Sequence, residues 1–413
     1  MRGPHPIGGA LRRRAVLAGA ASFGAVAAFP LRFANAQGQP LKIGVLLPRS
    51  GIQAQLGIDA GRGADLAAEA LPAKGFPACT IVPADTETQV QVARAQAEKL
   101  IEQGCHVIVG CYDSGQTVAA AQVCEARGIP LVVNIAAVPN LTEQGFKTVF
   151  RNFPSGATIA VDTFRLQKEL FQIGGATPKT AVLLHANDTF GASQRDVTVK
   201  LIDKFAMPFK FADTVGYDPA ARDLSAEVRK AKATNAEFVW CISRINDGIL
   251  AVREMVKQRW QPMGILNTGP GWAEEPFVKG LGKYAEDIIS VLPWYDPNKP
   301  MAKYMLSAWA KKAPGRVMTL GVLYTFEAVL TALDAYKRAG STEPAKLLEA
   351  LRKTDIKDNV TVGTGVHFNA KGQNPDTKSS LIQVRDGKPA AIVPASAADA
   401  KPIWPMRAWD KRG

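Results

Sequence analysis

The chain has 413 residues, 47% of them hydrophobic and 21% charged, which is apolar material enough for two compact domains and argues against a disordered chain. Its formal charge is +13, but the basic residues are interleaved with acids, as in "KATNAEF" and "REMVKQRW", with no basic tract of five or more. That dispersal argues against nucleic acid as a partner and leaves at most a mild pull on small anions.

In chain order, "LRRRAVLAGAASFGAVAAFPLRFANAQ" comes first: an arginine cluster, a weakly apolar Ala/Gly stretch and a small-residue site at Ala34-Asn35-Ala36. Residues 1–36 are expected to be an export signal cut after Ala36, which would place the mature protein in the periplasm. The adjacent Arg12, Arg13 and Arg14 have the character of a twin-arginine signal, with the ordinary secretory route left open. The stretch from Ala15 to Ala28 is short and weakly apolar for a membrane span, and no later run approaches one. Residues 1–36 hold five arginines and no acid, so the charge falls to +8 without them.

From Leu41 onward, short apolar runs alternate with segments of helical periodicity. Strand "LKIGVLL", helix "IDAGRGADLAAEAL", strand "CTIVPAD", helix "VQVARAQAEKLIEQG", strand "HVIVG", helix "TVAAAQVCEARG" and strand "IPLVVNIAA" form one series. A second series begins after "VFRNFPSG", with strands "KTAVLLHAND", "FKFADTVGY", "EFVWCIS" and "MGILNTG" separated by helices. Unbroken apolar strands alternating with helices predict parallel sheets covered on both faces. After them, "ISVLPWYDPNKP" departs from the alternation, helices are expected around 301–312 and 319–339, and the segment from Gly363 to Val393 reads as short strands with a turn. The fold class predicted is α/β, with two Rossmann-like lobes.

"VIVGCYDSGQT" shows why the loops matter. Its apolar strand stops at Gly110 and gives way to Asp113, Ser114, Gly115, Gln116 and Thr117 before a helix begins. In an open parallel sheet, ligands bind outside the carboxyl ends of the strands, and a helix N-terminus there offers unpaired N–H groups to an anion. Ser114 either caps its own helix or presents its hydroxyl to a ligand. Polar loops, three of them Gly-bearing, recur at the corresponding ends: "PRSGIQAQLG", "NIAAVPNLT", "HANDTFG", "SRIND" and "NTGPGW". The set predicts one cleft between two lobes.

Those stretches, together with "VFRNFP" and "GWAEEPFVKGLGKYAEDIISV", resemble in order and spacing the type I periplasmic binding proteins of ABC importers, and more narrowly the branched-chain amino acid branch. The resemblance implies two lobes joined by a three-segment hinge: 40–153 plus 292–368 as lobe one, 154–291 plus 369–395 as lobe two, and 396–413 as a C-terminal tail. It implies a small carboxylate or amino-acid-like ligand held by hinge closure, delivery to an ABC permease at the inner membrane, and a monomer. Carried over by position, Ser114 and Gly115 at the helix start take the ligand carboxylate, and Ala136 and Ala137 offer backbone groups. Leu56 lines the wall, Phe190 covers the ligand, and Arg244, Gly269 and Pro270 contact it from lobe two.

Departures from the family pattern bear on the ligand. Pro270 stands where amino-acid-binding relatives commonly carry an acid for the ammonium, and Ala137 where a hydroxyl residue often follows. Thr88 and Asp113 occupy positions that form a disulfide in some relatives. An amine-free acid therefore stays open beside an amino acid. Arg244 either points into the cleft or lies on the surface, Trp272 either covers the ligand or packs, and Glu274 and Glu275 are expected to be solvated.

Cys79, Cys105, Cys111, Cys124 and Cys241 are an odd number for an oxidising compartment, and Cys105 with Cys124 is the favoured pair if one forms. Cysteine spacing fits no zinc pattern and His106, His185 and His367 are isolated, so no metal is expected. Neither GxGxxG after the first strand, nor a P-loop, HExxH or GxSxG occurs, so no cofactor and no enzymatic activity are expected. A two-lobed transferase and a ligand-sensing receptor remain the alternatives, separable by turnover and by neighbouring permease genes.

Overall fold

The computed structural model describes residues 40–395, 398 and 400–412; the expected export signal lies outside them. The first lobe carries strands β1 (Leu41–Leu47), β2 (Cys79–Asp85), β3 (Val107–Gly110), β4 (Leu131–Val133) and β5 (Val149–Arg151) with helices α1 (Ala54–Ala70), α2 (Val90–Glu102) and α3 (Ser114–Arg127). Its sheet runs β2-β1-β3-β4-β5 and every pairing is parallel. Alternation along β3 explains its unbroken apolar run. Val107 and Val109 enter the core that includes Ala60 and Ala64 of α1, whereas Ile108 enters the one that includes Ala97 of α2 and Ala120 of α3.

The second lobe carries α4 (Gly156–Gly174), β6 (Thr180–Ala186), α5 (Thr189–Leu201), β7 (Lys210–Tyr217), α6 (Ser225–Ala233), β8 (Phe238–Ile242), α7 (Ile245–Lys257), β9 (Gly264–Asn267), α8 (Glu275–Leu281) and β10 (Ile289–Leu292). The chain then forms α9 (Pro300–Lys312), α10 (Leu320–Ala339), α11 (Pro344–Arg352), the small hairpin partners β11 (Asp355–Ile356) and β12 (Val366–His367), and the antiparallel pair β13 (Ser380–Arg385) and β14 (Lys388–Val393). The second sheet runs β14-β13-β10-β9-β8-β6-β7.

Strand β10 differs from the expectation for "ISVLPWYDPNKP". Ile289–Leu292 is fully buried and pairs with β9 on one side and β13 on the other; four residues ahead of Pro293 carry too little periodicity to declare a strand. Helix α10 returns to the first lobe and lies across α1 so closely that a Cβ on Gly63 would stand 2.3 Å from the Val322 carbonyl oxygen. Three passages thus connect the sheets: after β5, after β10, and between β12 and β13. The third runs beside the first, since Arg151 N–H donates to Gly372 O at 2.7 Å and Asn374 N–H to Arg151 O at 3.0 Å.

The five cysteines are all free, so the favoured Cys105–Cys124 pairing is not formed. Both thiols lie in the apolar layer that includes Ile108 and Cys111, where they pack as small hydrophobes. Residues 400–412 do not trail away. Trp404 sits against Gly174 and Gly264 and donates to Ala176 O at 2.8 Å, and Trp409 donates to Trp260 O at 2.8 Å. No helix among the described residues is long and apolar enough to cross a membrane.

Candidate ligand-binding site

Four strand ends converge on the gap between the lobes. Beyond β3, Asp113 caps α3: its Oδ1 accepts from the Gly115 and Gln116 N–H groups at 2.9 and 3.3 Å. The cap is therefore Asp113, and Ser114, one residue on, is released from that duty. Ser114 is 2% exposed and its Oγ accepts from the Val138 N–H at 3.3 Å. Beyond β6, Asp188 caps α5 in the same way, accepting from Gly191 N–H at 2.9 Å. Beyond β8, Arg244 is the residue before α7, and its N–H donates to Asp247 Oδ1 at 2.9 Å. Beyond β9 come Thr268, Gly269 and Pro270; a Cβ on Gly269 would lie 1.9 Å from the Ser243 carbonyl oxygen, so no other residue fits there.

Arg244 joins these ends. Its Nη2 lies 2.6 Å from Asp113 Oδ2 in the first lobe, its Nη1 lies 2.7 Å from Asp188 Oδ2 in its own lobe, and its guanidinium sits 4.6 Å from the centre of the Phe190 ring. Burial opposes the charge, but Asp113, Asp188 and Asp247 outweigh it and hold the pKa above the usual arginine value. The two carboxylates also sit on helix N-termini, whose partial positive charges together with the guanidinium roughly neutralise the pair.

Arg244 divides the gap into two spaces. The inner cavity is walled from the first lobe by Tyr112, Asp113, Ser114, Ile135 and Ala137, and from the second by Phe190, Gln194, Thr268, Gly269 and Pro270. The outer vestibule is lined by Ile52, Gln53 and Leu56 facing Asn246 and Asp247. Arg244 borders both.

Of the residues expected at a site, Ser114, Ala137, Phe190, Arg244, Gly269 and Pro270 line the inner cavity and Leu56 lines the vestibule. Gly115 and Ala136 line neither: the Gly115 N–H is taken by Asp113, and the Ala136 carbonyl accepts from Arg151 Nη1 at 3.3 Å. Trp272 packs instead of facing the cavity; it is fully buried, stacks on Phe277 at 4.7 Å and donates to the Arg244 carbonyl at 2.8 Å. Glu275 is exposed and paired with Lys279, as expected for a solvated acid. Glu274 is not: it is 3% exposed, and burial, then Asp59, raises its carboxyl to about 8. Neither of its oxygens accepts a well-formed hydrogen bond, the Leu320 N–H being the one donor that eases its charge.

Tyr112, Gln194 and Thr268 were not anticipated. The signal for Gln194 was present, because it follows Phe190 by four positions and so shares its helix face. Among the described residues no cluster of three or more His, Cys, Asp or Glu could hold a metal ion.

Residues 40–389 match the family described as periplasmic binding protein. The Leu/Ile/Val-binding protein homolog 8 of Brucella abortus is 26% identical over 385 residues, covering 87% of this chain and 92% of the relative. Among solved structures, the leucine-binding protein LivK of Thermotoga maritima superposes with a TM-score of 0.74 at 21% identity, covering 85% of this chain and 97% of its own. A solute-binding protein of an ABC transporter from R. palustris, solved with benzoate, superposes with a TM-score of 0.73 at 18% identity, covering 89% and 98%. At these identities the two structures share the fold.

Proposed function

The chain belongs to the periplasmic binding protein family, and from that premise we propose that it captures a small carboxylate-bearing ligand between its lobes and delivers it to the permease of an ABC importer. It is a binding protein and not an enzyme, as its family is. The observation that carries the reading is the inner cavity, walled by strand ends of both sheets and spanned by the Asp113–Arg244 pair. A guest that touches both walls stabilises the closed arrangement; one that touches a single wall shifts nothing. In this reading residues 40–153 and 292–368 rotate against 154–291 and 369–395 about the three passages, and residues 1–36 direct export to the periplasm. The Leu/Ile/Val-binding relative and the benzoate complex both support a small carboxylate as cargo.

Ser114 is the proposed carboxylate donor in the first lobe. Its Oγ already accepts from Val138 N–H, so its own hydrogen is available to a guest. Isothermal titration of the purified protein against amino acids, keto acids and aromatic acids tests the proposal, with small-angle scattering to read compaction. At least one carboxylate is expected to bind and compact the protein. Ser114→Ala is expected to weaken that ligand about tenfold, near the net worth of one hydrogen bond to a charged group, and to lower the unfolding midpoint slightly, since it leaves the Val138 N–H unpaired. Unaltered affinity in the variant would remove Ser114 from the site, and silence across the whole panel would remove the carrier reading.

A further inference from the structure

We infer that the ligand is an acid lacking an ammonium group, held by uncharged donors, and that Gln194 is the residue that selects it. This rests on the carrier reading above and narrows its substrate class.

Acceptors come first. Asp113 is the one carboxylate on the inner wall among the described residues, and its lone pairs are spoken for. Oδ1 accepts from Gly115 and Gln116 N–H, and Oδ2 accepts from Arg244 Nη2 at 2.6 Å and Gln53 Nε2 at 3.0 Å. An ammonium placed in this cavity would find no open carboxylate, and a buried cation without a partner is heavily penalised.

Donors tell the opposite story. Gln194 is 2% exposed, lines the cavity, and its Nε2 has no hydrogen-bond partner. Its orientation is set by a relay of one-way bonds. The Trp240 indole can only donate, and it gives to Thr268 Oγ at 3.2 Å; the Thr268 hydroxyl donates onward to Gln194 Oε1 at 3.1 Å. With its oxygen held there, the amide nitrogen is left as an unused donor on a side chain that lines the cavity. From the opposite lobe Tyr112, 3% exposed, brings a phenol oxygen that also has no partner, and burial keeps that phenol protonated. Unsatisfied buried donors are costly, and two on facing walls of one cavity are accounted for when a guest supplies the acceptors. The remaining wall is apolar, with Ile135, Phe153, Phe190 and Leu320 around the guest's body.

A matched pair separates the charges: leucine and 4-methyl-2-oxopentanoate share a carbon skeleton, with the ammonium of one replaced by a keto oxygen in the other. Titration calorimetry with this pair, and with benzoate as an acid lacking both groups, is the test. The keto acid is expected to bind at least about tenfold tighter than leucine. Gln194→Leu should erase most of that ratio, and Gln194→Glu, which sets an acceptor where the donor was, should move it toward leucine. Unfolding midpoints check that each variant is folded; should the glutamate variant fail to fold, the leucine variant alone decides. A purely structural glutamine would leave the ratio where it was, and that result overturns the inference. Leucine binding tighter than both amine-free acids to the unaltered protein would overturn it too while leaving the carrier reading intact. No binding by any acid or amino acid would end both.

Discussion

Glu327 and Glu274 are both buried glutamates, yet one is saturated with partners and the other has almost none. Glu327, on α10 beside the first passage, accepts from Asn152 Nδ2 at 2.9 Å and Thr361 Oγ at 2.8 Å on one oxygen. Its other oxygen takes Asn359 Nδ2 at 3.0 Å and the N–H groups of Val360 and Thr361 at 2.7 and 2.9 Å. Glu274, at the start of α8 in the second lobe, faces Asp59 of α1 and Leu320 of α10 from the first. In the proposed hinge motion, the difference separates what stays fixed from what opens. Around the passages, every lone pair of the acid is used, so the chain there is held in one arrangement. At the cleft, a carboxyl is trapped dry by the meeting of the lobes, and parting them would return it to water. The same closure that brings Arg244 to Asp113 therefore also works against itself at Glu274.

The contrast fails most visibly if Glu327 is dispensable. Glu327→Ala strands its five donors and removes the acid that faces Lys299, and is expected to cost about 3–5 kcal/mol in urea unfolding. A loss under about 1 kcal/mol would show that the passages are held by something else.

Glu274 sharpens the contrast through pH. Its carboxyl is raised from 4.5 to about 8 in the folded protein, so the native state keeps a proton that the unfolded chain releases. Stability should then fall as pH rises from about 4.5 to about 8, with the full penalty above that and none below. Glu274→Gln has no proton to lose. It should melt with the unaltered protein at low pH and above it at pH 8.5, by an amount equivalent to roughly 3–5 kcal/mol. Parallel melting curves across the range would place Glu274 among ordinary solvated acids.

The smallest effect belongs to the interlobe pair. Asp113→Asn keeps an oxygen to cap α3 but removes the charge facing Arg244, and should shift the lobes toward opening by roughly 1 kcal/mol. Small-angle scattering without ligand would read this as a larger radius of gyration, and an unchanged radius would show that the pair does not hold the lobes together.

Much of this architecture could be read from residue patterns. The apolar runs of β1, β3, β6 and β8 and the helices after them declare a doubly covered parallel arrangement, and the polar loops after those strands locate the gap. Strand β10 was hidden because Ile289–Leu292 is short and is followed by Pro293. The short helix α11 offered only nine residues of periodicity. Within the site, Ser114 and Phe190 in the first turns of their helices and Gly269 in its loop are legible because they stand just after strand ends. Gln194 was passed over because it lies inside a helix, where a polar residue reads as solvated. The role of Arg244 was out of reach for a different reason: its partner Asp113 is 131 positions away, and only the folded chain brings them together.

Arg244 also borders both the inner cavity and the vestibule. If a solute enters the proposed carrier through the vestibule, it passes the place where the guanidinium is fastened, and admission and fastening then exclude one another in time. Such a carrier needs no separate door: the clasp that shuts it is the threshold itself.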